Sequence, residues 1–102
     1  MNIKLMRLVT GEDILTEVVD AGELGYQIKN PLIVYITPPQ SPGQSASVGI
    51  SQWIPYSADK EFVIKSDKVV VVCTPAEDLA KQYDQVFGLG LILPGQKQLL
   101  TS

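Results

Sequence analysis

Lys65-Ser66-Asp67-Lys68 places two ammonium groups, a hydroxyl and a carboxylate on four consecutive residues. Read alone, the segment is a solvated turn, because Ser and Asp side chains bond nearby backbone groups and favour reversals. The same side chains suit a nucleic-acid strand. Lysine meets phosphate, while serine and aspartate can bond base edges. Two lysines against one aspartate leave the turn at +1, in a chain whose net charge is −3. That overall charge argues against attraction driven by bulk charge, as in a generic duplex-DNA binder, and leaves room for a local site.

Other chemistry is thinly supplied. Histidine is absent and Cys73 is the one cysteine, so neither a zinc nor a haem constellation can be assembled. No metal or other cofactor is expected. One cysteine allows no intrachain disulfide, which points to a reducing cytoplasm. The start of the chain lacks the apolar run of a signal peptide, and no run is long enough to span a membrane. No phosphate-binding glycine loop or nucleophile elbow is present. Glu12-Asp13 and Glu77-Asp78 are neighbours in sequence, with nothing to make either pair converge on a site. The expectation is a protein that binds rather than catalyses.

The elements that must hold the turn follow from periodicity. Phe62-Val63-Ile64 before it and Val69-Val70-Val71-Val72-Cys73 after it read as strands. Four successive valines cannot alternate inside and outside, so both faces of that strand must be covered. A domain of 102 residues has little material for this, and a second copy of the chain could supply it. Cys73, continuing the valine run, reads as a small buried residue.

Upstream, residues 3–9 read as a first strand, with Ile3, Leu5, Arg7 and Val9 on one face and Met6 and Leu8 on the other. Gly11 marks a tight turn into a second strand over 14–19. A loop over 20–25 leads to a third strand over 26–37, which Pro31 should bend, bulge or confine to an edge. Residues 38–47 read as an exposed hairpin tip. A fourth strand runs over 48–54, bends or breaks over 55–60 and resumes over 61–65. Trp53 reads as core or interface packing. Thr74, Pro75 and Glu77 predict a helix with Thr74 as N-cap, Pro75 in the first turn and Glu77 closing a capping box. Leu79, Tyr83, Val86 and Phe87 form one apolar stripe, and Gly88 stops the helix. Residues 1–88 are expected to form one domain, with 89–102 as a tail.

This order of elements resembles the Sm/LSm fold. Val63-Ile64-Lys65-Ser66-Asp67-Lys68-Val69-Val70-Val71-Val72 falls without a gap on the family's second motif, in which aliphatic residues flank Arg-Gly-Asp-Asn. Asp67 matches outright, Lys65 keeps the charge of the arginine, and Ser66 and Lys68 depart. Gly11 matches the glycine of the first turn, and Asp20 the acidic residue closing the second strand. The family's asparagine is not at its usual spacing, since Asn30 lies too far along. A C-terminal helix in place of an N-terminal one is similar to the Sm-like proteins of marine cyanophages, over residues 3–88.

The resemblance implies an all-β, five-stranded, strongly bent Sm-like (SH3-like) barrel with a C-terminal α-helix. It implies a homo-oligomeric ring of about five to seven copies, a pentamer or hexamer favoured. It also implies that Lys65, Ser66, Asp67 and Lys68 line a central pore that takes single-stranded RNA or DNA, in support of RNA or DNA processing, with Asp20 nearby. Tyr26, just after the loop, is a core aromatic or a platform for an unpaired base. The alternative is a phage structural or assembly ring that makes protein contacts only.

Overall fold

The computed structural model describes residues 2–88. The expected tail over 89–102 lies outside the described residues. Six antiparallel strands precede one helix: β1 (Ile3–Leu8), β2 (Asp13–Ala21), β3 (Gly25–Thr37), β4 (Ser47–Gln52), β5 (Glu61–Lys65), β6 (Val69–Cys73) and α1 (Glu77–Phe87). The sheet runs β4-β3-β2-β1-β6, with β5 also paired to β3. It is strongly bent and does not close on itself among the described strands. The expected fourth strand is therefore two strands, β4 and β5, both laid along β3.

The hairpin between β1 and β2 turns at Gly11, whose φ of 91° suits glycine. Its amide bonds the Leu8 carbonyl at 2.9 Å. Alternation in β1 then divides the side chains as expected. Met6 and Leu8 join Ile14, Val18, Ile28 and Ile64 in an interior core. Ile3 and Leu5 face the opposite way, onto a second cluster built on Leu15, Leu32 and Tyr83.

The bend is concentrated in β2 and β3. Register shifts between Leu15 and Glu17 and between Val18 and Asp20 bulge β2, and bulges sharpen local twist. Opposite them Asn30 adopts a φ of 52°, a left-handed conformation that asparagine tolerates. β3 continues through Pro31, but its outer partner changes there: β5 pairs residues 25–29 and β4 pairs residues 32–37. The amide that proline lacks falls where no partner strand would need it.

Helix α1 covers the outer cluster with the expected stripe of Leu79, Tyr83, Val86 and Phe87. It ends at Gly88, with φ 67° and an amide bond to the Asp84 carbonyl at 2.7 Å. The beginning differs from expectation. Ala76 is the N-cap, without a side-chain cap, so Thr74 and Glu77 form no capping box. Thr74, Pro75 and Ala76 instead connect the edge strand β6 to the helix, and Pro75 is buried in that crossing. Glu77 and Asp78 still place negative charge in the first turn, where the helix dipole favours it.

The valine strand β6 is an edge. Val70, Val71 and Val72 are 59%, 48% and 37% exposed, so the chain leaves both faces only partly covered. Cys73, expected to be buried, is exposed, because it closes this outermost strand beside Leu5 and neither core reaches over it.

Candidate nucleic-acid interface

The turn expected at 65–68 is a single 3-10 turn, Ser66–Lys68, between β5 and β6. Ser66 is its anchor. The Ser66 amide donates to the Leu24 carbonyl at 3.2 Å, and its hydroxyl donates to the Glu23 carbonyl at 2.8 Å. At the other end, the Lys68 carbonyl accepts the Val9 amide at 2.9 Å. The turn is thus tied to the β2–β3 loop on one side and to β1 on the other.

With the backbone held, Lys65, Asp67 and Lys68 project into solvent. Asp67 and Lys68 approach only to 4.0 Å, with side chains 73% and 59% exposed. Such a pair contributes little and is easily exchanged for another partner. The arrangement presents two ammonium groups and a carboxylate on a fixed frame. Ser66 points its proton inward, so only its oxygen lone pairs remain to be offered.

Gly25 makes the close approach possible. It pairs with Lys65 in the β3–β5 register, and a Cβ there would run into the Ile64 carbonyl. The backbone groups of Glu23 and Leu24 that hold Ser66 escaped the reading of the sequence. Their signal was the pair Gly22 and Gly25 on either side of them.

The remaining expected residues flank this loop. Tyr26 pairs with Ala21 on one side and Ile64 on the other. It is half-buried and packs against the interior core. Asp20 pairs with Gln27 and is exposed. The structure therefore gathers Lys65, Ser66, Asp67 and Lys68 at the loop, with Asp20 and Tyr26 on the strands that lead into and out of it.

A family model for the Sm_like domain matches residues 5–84. The chain belongs to the Sm-like family. The match runs from β1 into α1, so this Sm-like domain includes every strand, the bend and the 3-10 turn. A comparison with the curated proteins found no match.

Arg7 on β1 holds Asp13 on β2 through two hydrogen bonds, at 2.7 and 3.0 Å. Hydrogen bonding from the guanidinium keeps the Asp13 carboxyl below the usual aspartate range, so this cation and anion are engaged with each other. Among the described residues, no group of three or more His, Cys, Asp or Glu side chains could hold a metal ion. No described helix is long and apolar enough to cross a membrane.

Proposed function

We propose that copies of this chain close into a ring and bind single-stranded RNA, or DNA, at a pore lined by the Lys65–Lys68 turn, as a non-catalytic module in nucleic-acid processing. The observation that carries the reading is the anchored turn, whose exposed lysines stand on a backbone fixed at both ends. Sm-like domains are often RNA-binding and oligomeric. The unclosed sheet supports assembly. β6 offers one free edge with Val70 and Val71 exposed, and β4 and β5 offer the other with Val48 and Val63 exposed. Pairing β6 of one copy with the broken fourth strand of the next would cover both edges. Repetition around a ring lets one strand engage several turns at once, so weak contacts add.

Net charge −3 favours a second reading, a ring of the phage type that makes protein contacts only. Fluorescent U-rich, A-rich and C-rich oligomers titrated at two salt concentrations separate the two. Lys65→Ala and Lys68→Ala each weaken binding and flatten its salt dependence, because fewer counterions are released. Asp67→Ala blurs base preference if the carboxylate contacts a base edge. It strengthens binding to every oligomer if the carboxylate only balances charge. Absence of binding by the unaltered protein at low salt gives the protein-contact reading the field.

A further inference from the structure

The partner change along β3 leaves a notch in the sheet. β5 ends its pairing at Lys29 and β4 begins at Leu32, so neither strand lies opposite Asn30 and Pro31. The chain between β4 and β5 loops outward around this gap. The result is a pocket of about 470 Å³, within the roughly 300–1,000 Å³ of ordinary small-ligand sites.

Aromatic rings form part of its wall. Trp53 and Phe62 meet edge to face, with centroids 6.0 Å apart. Phe87 reaches the pocket from the helix. The polar lining is Lys29, Asn30, Asp59 and Lys60, with Gln52 and Ser57. Among the described residues, the two ammonium groups form no ion pair, and the Asn30 side-chain amide and the Trp53 indole N–H form no hydrogen bond. A half-buried indole N–H ordinarily has a partner.

The backbone around the pocket is fixed. The Asn30 amide bonds the Lys60 carbonyl at 2.8 Å, and the Trp53 amide bonds the Pro31 carbonyl at 3.3 Å. The Tyr83 hydroxyl holds the Asn30 carbonyl at 2.9 Å.

We propose that this pocket binds a nucleotide, its base against Trp53 and Phe62 and its phosphate at Lys29 and Lys60. An aromatic wall accepts any base, because every base has a π-face. Two unpaired lysines beside it suit an anion on the same ligand, which neither a purely apolar molecule nor phosphate alone would use fully. Asn30 both donates and accepts, and the Asp59 carboxylate can accept from a sugar hydroxyl or a base amino group. The site is separate from the turn. Lys60, just before β5, and Lys65, at its far end, are about 16 Å apart at the usual strand rise. The nucleotide is either free or one unit of a strand, and both share this chemistry.

Trp53 is the chain's one tryptophan, so its fluorescence reads the pocket directly. The full chain is titrated with nucleoside monophosphates, the matching nucleosides, inorganic phosphate and a short oligonucleotide. Saturable change in Trp53 emission is expected with the monophosphate, and at about tenfold higher concentration with the nucleoside, which lacks the charged contact. Lys29→Ala and Lys60→Ala each shift the monophosphate curve to weaker binding. Saturation by the oligonucleotide alone assigns the pocket to a strand, and saturation by both assigns it to nucleotides generally. No saturable response to either overturns the proposal. So does a monophosphate response that Lys29→Ala and Lys60→Ala leave unchanged.

Discussion

The Tyr83 hydroxyl lies 2.9 Å from the carbonyl oxygen of Asn30, joining the helix to the residue at which the sheet bends. The same hydroxyl is 3.1 Å from the Lys29 carbonyl and accepts the Glu17 amide at 3.2 Å. Thr16, also fully buried, donates to the Lys29 carbonyl at 2.9 Å. Bulge and bend free these backbone groups from the ladder, and two buried hydroxyls satisfy them. Burial raises the Tyr83 phenol well above its ordinary range, so it stays a neutral hydroxyl able to donate.

Tyr83→Phe keeps the ring and removes the hydroxyl. The carbonyls of the bend and the Glu17 amide then lose a buried partner, at a cost of about 1–3 kcal/mol. Denaturant melting of the two proteins measures this. Unchanged stability would mean that water reaches the bend and replaces the hydroxyl.

Gly25→Ala tests the lock between loop and turn. The new methyl meets the Ile64 carbonyl, a backbone atom that cannot swing aside. Overpacking of this kind costs about 1–3 kcal/mol. The variant should melt earlier and, under the proposed function, bind oligonucleotides more weakly although every lysine is intact. A melting temperature equal to that of the unaltered chain would show that β3 and β5 can part there without cost.

Val70→Lys tests the free edge of β6. Val70 is 59% exposed on a strand with one partner, and lysine on an edge strand discourages the addition of another. Light scattering should give several times the 11.1 kDa chain mass for the unaltered protein and a lower multiple for the variant. A single-chain mass for the unaltered protein at micromolar concentration would contradict assembly.

The Arg7–Asp13 pair predicts a modest acid sensitivity. Hydrogen bonding from Arg7 lowers the Asp13 pKa in the folded chain. A lowered pKa adds stability above the ordinary aspartate value of about 3.9 and loses it as pH falls through the folded value. Asp13→Asn should therefore melt earlier than the unaltered chain near neutrality. The gap should close on acidification below about pH 4. Melting curves across that range check it, and a gap that does not depend on pH would assign the effect to packing.

Much of this architecture was legible in short stretches of sequence. The two faces of β1, the turn at Gly11, the polar break at 65–68, the stripe of α1 and its stop at Gly88 are set by residues a few positions apart. Their φ preferences and periods act before any distant partner is present. Tertiary structure decided what depends on distant partners. It moved the helix start from Thr74 to a cap at Ala76, with Pro75 buried in the crossing from β6. It exposed Cys73, whose environment depends on which strand became the edge. It turned the Ser66 proton inward, brought Tyr83 to Asn30 across 53 positions, and opened the pocket where two strands share a third. No local preference encodes these, since each depends on which distant element comes to lie alongside; at the bend, backbone carbonyls left out of the ladder are met by the Tyr83 and Thr16 hydroxyls.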